Sequence, residues 1–307
     1  MDFGNALKYY KTWSKPDVII SDGPYGIGGY DGDPKTSSAL TSIYKPHILK
    51  WSEMAHSGTT LWFWNTEIGW ARVHQILEDN GWIYRGTNVW DKGIGHIAGN
   101  CNGKTMRKFP VATEICVHYV RKEEFNKDGE SLQDWLRNEW KKTGLTLKNA
   151  NTACGVKNAA SRKYLTSDHL WYFPPGDVFQ KLVDYANKYG IKPPYFTEDG
   201  KPLTAAAWER KRGKFNFEYG VTNVWQSKNN AKLHPSSKPI ELMNRIIKAS
   251  SDIGDVIWEP FGGSATASIA AIRLNRKYFS AEINRKYYNI AVKRIKTELE
   301  EELKLGV

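Results

Sequence analysis

In Val18-Ile19-Ile20-Ser21-Asp22-Gly23-Pro24-Tyr25-Gly26 an apolar, β-branched run ends abruptly in turn-forming residues, with Gly28 and Gly29 close behind. A buried parallel strand has this texture where it delivers its last residues to the open edge of a sheet. In open α/β sheets the carboxyl ends of the strands are where ligands bind. One carboxylate (Asp22), a stiff Gly-Pro and an aromatic ring (Tyr25) stand at that end. The carboxylate can accept hydrogen bonds from an amine, and the ring can stack on a flat substrate. An ordinary strand-to-turn transition uses the same residue types, so the rest of the chain must decide.

Working outward, residues 1–17 read as a short helical lead-in stopped at Lys15-Pro16. Ile27 to Ser38, rich in Gly, Asp, Ser and Thr, reads as a mobile loop. A helix is predicted over 40–57, with Ile43, Ile48, Leu49, Trp51 and Met54 as its apolar residues, then a strand over 58–64 and a helix over 66–80. Two further strands are predicted over 82–90 and 114–120, around a Gly/Asn/Lys-rich loop from Lys92 to Lys108. Alternating strands and helices predict an α/β sheet.

The texture changes near Arg121. Residues 121–142 are dense in charge and read as helix, and from Lys141 to Lys163 every charged residue is basic. Residues 121–230 are therefore expected to form a separate, mostly helical insert. Its stretch from Thr146 to Leu165 has the cadence of a helix-turn-helix. Leu147, Ala150 and Cys154 would face inward and Gly155 would make the turn, with Val156, Ala159, Ala160 and Leu165 packing the second helix. Lys157, Asn158, Ser161 and Arg162 would project outward. Arg reads guanine, Asn reads adenine, and Lys contacts phosphate. A small helical hairpin with a solvated basic face has the same cadence.

The α/β texture resumes at His234. A helix over 240–250, a strand over 255–258 and the turn Glu259-Pro260-Phe261-Gly262-Gly263-Ser264-Ala265-Thr266 lead into a helix over 267–274. A strand over 278–282 and a charged helix over 285–303 close the chain. Strand, glycine turn, helix, strand and terminal acid make a nucleotide-binding βαβ unit. The glycines let backbone approach a ligand, and Ser264 and Thr266 can cap the following helix. Glu282 lies about 20 residues past the turn, where an acid binds ribose hydroxyls. GxGxxG spacing is missing, so a nucleoside ligand without a pyrophosphate, such as S-adenosylmethionine, fits better than a dinucleotide. Small residues for tight helix–strand packing would look alike.

Composition agrees. A formal charge of +11 over 307 residues favours a polyanionic partner. Thirteen Trp and sixteen Tyr supply flat faces, most of them needed for core. The three cysteines (Cys101, Cys116, Cys154) form no CxxC pair, which argues against a zinc site or a disulfide framework. No run approaches the roughly 18 apolar residues of a membrane span. The expected location is the cytoplasm, and no metal is expected.

Glu259-Pro260-Phe261-x-Gly263-Ser264-x-Thr266 resembles the S-adenosylmethionine motif of DNA amino-methyltransferases (D/E-P-F-x-G-S-G-T). Asp22-Gly23-Pro24-Tyr25 resembles their catalytic D-P-P-Y, and His234-Pro235-Ser236-Ser237-Lys238-Pro239 resembles their H-P-(T/A)-x-K-P. Catalytic motif, basic insert, then cofactor motif is the permuted order of the β class, so the chain is similar to that class over nearly its whole length. Gly23 stands where the family has proline, and Ala265 where it has glycine.

The resemblance implies a Rossmann-like methyltransferase sheet in two halves, 1–120 and 231–307, with 121–230 as an inserted target-recognition domain. It implies catalysis by Asp22, Gly23, Pro24 and Tyr25. Asp22 and the Gly23 carbonyl would each accept an N–H, and Tyr25 would stack on a flipped base. Cofactor contacts would fall on Phe261, Gly263, Ser264 and Glu282, with Ser236 and Lys238 near the methionine end. Glu282 as a surface acid and Lys238 as a solvated lysine are the plain alternatives. The substrate would be adenine N6 in duplex DNA. Cytosine N4 comes second, an RNA base or glutamine amide third, and a DNA-binding protein on an inactive frame last. Partners would be double-stranded DNA and a cognate restriction endonuclease, with the chain a monomer or homodimer.

Overall fold

The computed structural model describes residues 1–93, 104–122, 130–168, 170–198, 200–211, 213–216, 218–227 and 238–305. The first stretch builds β1 (Asp2–Phe3), β2 (Val18–Ser21), α1 (Leu40–Met54), β3 (Thr60–Asn65), α2 (Glu67–Asp79), β4 (Trp82–Asp91) and β5 (Thr113–Arg121). All four residues of β2 and all six of β3 are buried, as continuous apolar runs require when both faces are covered. The expected helical lead-in is instead β1 followed by a single 3₁₀ turn at Ala6–Lys8. Pairing of Asp2 and Phe3 with Ala281 and Glu282 outweighs their local preference. In α1 the inward stripe is Leu40, Tyr44, His47, Ile48 and Trp51, while Leu49 lies outside it.

Residues 122–213 form a compact unit of their own. It holds α3 (Leu132–Lys142), α4 (Leu147–Ala153), α5 (Ala159–Tyr164), α6 (Gly176–Tyr189), the small hairpin β6 (Thr197–Glu198) and β7 (Lys201–Pro202), and α7 (Ala205–Lys211). Its core is aromatic: Trp208 is fully buried and stacks between Phe179, at 4.3 Å, and Phe173, at 4.5 Å. The insert had been expected to run to residue 230. The chain has left it by Lys214, because β8 (Val224–Gln226) pairs in parallel with β4.

The larger unit, 1–121 with 214–307, is completed by β8, α8 (Ile240–Ser250), β9 (Val256–Glu259), α9 (Thr266–Arg273), β10 (Lys277–Glu282) and α10 (Arg285–Leu305). Its sheet runs β1-β10-β9-β2-β3-β5-β4-β8. From β1 to β3 every pairing is parallel; β5 alone is reversed, antiparallel to both β3 and β4. Residues alternate between two cores. Ile19 and Trp258 join the helices α1 and α2 on one face, and Val18, Ile20 and Ile257 join α8 and α9 on the other. The two strands that carry the sequence motifs, β2 and β9, are neighbours, with Val18 opposite Ile257. Among the described residues no helix is long and apolar enough to cross a membrane.

Candidate active site

At the carboxyl end of β2 the backbone turns through Asp22, Gly23 and Pro24. The Pro24 carbonyl accepts from the Tyr44 hydroxyl and from the Asn65 side-chain amide, each at 3.0 Å. Asp33 pins the chain that follows. Its carboxylate accepts the backbone N–H groups of Tyr25, Gly26, Ile27 and Gly29 at 2.8 to 3.1 Å. The stretch expected to be a mobile loop is thus laced onto one buried carboxylate.

From β9 comes the second wall. Glu259 is buried, and its carboxylate accepts the Ala267 and Ser268 N–H groups and the Ser268 hydroxyl. Glu259 therefore caps α9, where Ser264 and Thr266 had been expected to. Ala265 takes the N-cap position in the left-handed region, φ 61°, and its own side chain makes no cap hydrogen bond. Gly263 stands at φ +50° with open space where a Cβ would point. Its N–H is donated to Glu282 Oε2 at 2.8 Å, and Asn284 N–H to Oε1 at 2.6 Å. Glu282 is 9% exposed, so it is no surface acid. Burial pushes its carboxyl up, against the lowering effect of those backbone donors.

These walls enclose a cleft of about 430 Å³, open to solvent and lined by Asp22, Gly23, Tyr30, Lys238, Phe261, Gly263 and Ser264, among others. Asp22, Gly23, Lys238, Phe261, Gly263 and Ser264 are brought together here. Ser236 lies outside the described residues. Lys238 is no solvated lysine: its ammonium sits 2.7 Å from Asp22 Oδ1 and 3.2 Å from Glu114 Oε2, with 1% of its side chain exposed. Burial alone would push this ammonium down; Asp22 and Glu114 outweigh it and hold its pKa above the ordinary lysine value. Tyr25 is not an open platform. The residue is 4% exposed, and its hydroxyl donates to Asp22 Oδ1 at 2.8 Å. Burial, then the Asp22 and Glu114 charges, push its phenol well above the ordinary range, so it stays a donor.

Glu114 and Lys92 were not singled out in the sequence. Glu114 is the second residue of β5, and because β5 is reversed its first residues reach the edge where β2 and β3 end. Lys92, just past β4, pairs with Glu114. Burial would raise the Glu114 carboxyl, and the Lys238 and Lys92 charges outweigh it and hold it low. Strand direction is not written in a β-branched run, so no spacing announced this pair.

In the separate helical unit, Lys157, Asn158 and Arg162 are exposed. Ser161 is not outward. It bonds Asn151 twice, through its hydroxyl and its N–H, each at 3.0 Å, and so braces α4 to α5. Leu147 and Val156, expected inside, are exposed, whereas Ala150, Ala160 and Leu165 are buried.

The sheet order and the cleft at its carboxyl edge define a Rossmann-like fold of the S-adenosylmethionine-dependent DNA methyltransferase class. The chain belongs to the N6/N4 DNA methylase family, whose sequence model matches residues 16–293. It is 25% identical to the type II methyltransferase M.HindIII of Haemophilus influenzae over 302 residues, covering 92% of this chain and 89% of that one. A 62-residue stretch is 44% identical to the DNA adenine methyltransferase YhdJ of Escherichia coli, covering 20% of this chain and 21% of that one. The structure of an M1.HpyAVI–SAM complex shares the fold, with a TM-score of 0.54 at 15% identity, over 96% of this chain and 97% of that one.

Proposed function

We propose that the protein moves a methyl group from S-adenosylmethionine to the exocyclic N6 amine of adenine in duplex DNA. The observation that carries this reading is Asp22, held at the end of β2 in one cleft with the glycine turn after β9. The cleft suits the methyl donor. Gly263 leaves room for close approach, and both Glu282 oxygens accept backbone N–H groups while facing the turn, where they can also take a ribose diol. Phe261, Gly263, Ser264 and Glu282 would hold the nucleoside, with Ser236 and Lys238 toward the methionine end. When bound, S-adenosylmethionine supplies an electrophilic methyl.

The chain's own residues then have to make a poor nucleophile attack. The adenine amine is poor because its lone pair is delocalised into the ring. Two acceptors, the Asp22 carboxylate and the Gly23 carbonyl, would each take an N–H and draw the nitrogen toward tetrahedral geometry, freeing the lone pair for in-line attack. Positioning and electrostatics suffice, without a covalent intermediate. The base must leave the duplex to reach the cleft. Tyr25, with Pro24 fixing the turn, would contact the flipped base once the Lys238 cluster opens. Asp at this first motif position, commoner in adenine enzymes of the family, favours N6. Cytosine N4 is the runner-up, since the same two acceptors would serve its amine. A DNA-binding protein on an inactive frame would have no use for Asp22, Tyr25 and Glu282 in these positions.

The partner is double-stranded DNA, read by Lys157, Asn158 and Arg162, with Ser161 bracing the helix that carries Arg162. Partnership with a restriction endonuclease, a monomeric or homodimeric state and a cytoplasmic location complete the reading. The test is methyl transfer from labelled S-adenosylmethionine to mixed-sequence duplex DNA, with mass identification of the nucleosides. N6-methyladenine is expected, falling to background in Asp22→Ala. N4-methylcytosine would correct the base, and absence of cofactor binding would overturn the enzyme reading.

A further inference from the structure

Both groups that bond Asp22 Oδ1 have the same second acceptor. Lys238 Nζ lies 2.7 Å from Asp22 Oδ1 and 3.2 Å from Glu114 Oε2. The Tyr25 hydroxyl oxygen lies 2.8 Å from the first and 3.4 Å from the second. The other Glu114 oxygen, Oε1, is held by Lys92. The Lys238 ammonium is also enclosed by rings, 5.1 Å from the centre of Tyr25 and 5.4 Å from that of Trp64.

We propose that Lys238 caps Asp22 in the free protein and passes to Glu114 when the target amine arrives, which makes Glu114 a positioning residue for the transfer. This rests on the reading of Asp22 as an acceptor for the amine. Asp22 Oδ1, already engaged by an ammonium and a phenol, is a poor acceptor for a neutral N–H, so presenting this oxygen to the amine requires the cap to move. A buried ammonium without a counter-charge is costly, and only 1% of the Lys238 side chain is exposed. Glu114 removes that cost. A shift on the order of 0.5 Å brings Nζ to charge-assisted hydrogen-bond length from Oε2. The Tyr25 hydroxyl has the same route, which would let its ring turn toward an entering base. No proton moves in the exchange: Lys238 remains an ammonium and Glu114 a carboxylate throughout. Lys92 keeps Glu114 in place, so the receiving carboxylate does not follow Lys238 back toward Asp22.

The test is Glu114→Gln in the full chain, with single-turnover methyl transfer measured at saturating S-adenosylmethionine and duplex DNA. The neutral amide is a weaker receiver, so Lys238 stays on Asp22. The transfer rate should fall roughly 10- to 100-fold, while the dissociation constants of cofactor and DNA change by less than about threefold. Glu114→Asp keeps the charge on a shorter arm and should recover part of the rate. It also reads the same step if the glutamine variant does not fold. A wild-type rate in Glu114→Gln overturns the exchange. So does a rate loss matched by an equal loss of cofactor affinity, which would make Glu114 a structural prop. Asp22→Ala run alongside separates the two readings. If it transfers at the wild-type rate, the site itself has been misread; if only Glu114→Gln does, the exchange alone fails.

Discussion

At position 23 a methyl group would lie 2.7 Å from Phe261 Cδ2 and 2.7 Å from the Tyr44 hydroxyl oxygen. The motif this turn resembles has proline there, a stiffer residue than glycine. The structure gives the glycine a steric reason: Phe261 packs so close to the turn that position 23 has no room for a Cβ. Stiffness is supplied instead by Tyr44 and Asn65, which both donate to the Pro24 carbonyl. Ala265, the other departure, takes the left-handed conformation at a cost of about 1–2 kcal/mol, and its methyl is buried beside Ile269, Ile272 and Ala291. Gly23→Ala should therefore displace Phe261, which lines the cleft, and cost about 1–3 kcal/mol by overpacking. Thermal unfolding and cofactor titration check it. A lower unfolding temperature with weaker cofactor binding is expected, and unchanged binding would show that Phe261 moves aside without consequence.

At the scale of elements, strands and helices of the sheet were legible because their apolar runs are long and their punctuation is strong. Val18–Ser21 and Thr60–Asn65 are buried throughout, and α2 ends at Asp79, inside the expected span of 66–80, with Gly81 at φ +79° just beyond it. The contacts among strand ends were not legible, because the reversal of β5 that brings Glu114 to Asp22 leaves no mark in its own residues. Nor was the Asp33 cradle, since an acid among glycines reads as loop chemistry until four N–H groups are seen to converge on it. In the helical unit the two-helix cadence of α4 and α5 was legible, but its faces were read partly wrong. Ser161 turns inward to Asn151, and Leu147 turns outward, because α4 and α5 have 7 and 6 residues, too few to fix a stripe. Arg162 remains exposed on α5. Arg162→Ala should relax the choice of methylated sequence while leaving cofactor affinity as it was, read by sequencing methylated sites in mixed duplex DNA. An unchanged site pattern would remove this helix from the recognition surface.

At the scale of the whole molecule, the insert was marked in the sequence by the change of texture near Arg121, and residues 122–213 form a compact unit of their own. The chain's return into the sheet was misplaced because β8, at 3 residues, is too short to announce itself. What no motif announces is how the sheet's burial couples stability to acid. Burial pushes His47 down to about 4. Burial and, behind it, Arg85 push His118 down to about 3; its ring stacks 4.3 Å from Trp62. Burial pushes Glu259 up to about 7 despite the donors around it. Each histidine is depressed below its ordinary value of 6.5, so the unfolded chain takes up protons below that pH that the folded chain refuses, and stability falls with falling pH. Glu259 is raised above its ordinary 4.5, so the folded chain holds a proton the unfolded chain has lost, and stability falls as pH rises toward 7. Between pH 4.5 and 6.5 two histidines oppose Glu259 and, from the lower edge of the window, Glu282, whose carboxyl burial also raises. The unfolded state then binds at most about one proton more, and acidification across that window should cost up to about 2 kcal/mol. The charge pairs that hold Glu114 low begin to lose their contribution only below that window, and His56, raised by Asp17, acts above it. Urea unfolding at pH 6.5 and 4.5 measures the slope. In His118→Phe one histidine remains against Glu259 and Glu282, and acidification across the window should no longer cost stability. A variant whose midpoint still falls as steeply as the parent's would remove His118 from the account and put the acid sensitivity elsewhere in the fold.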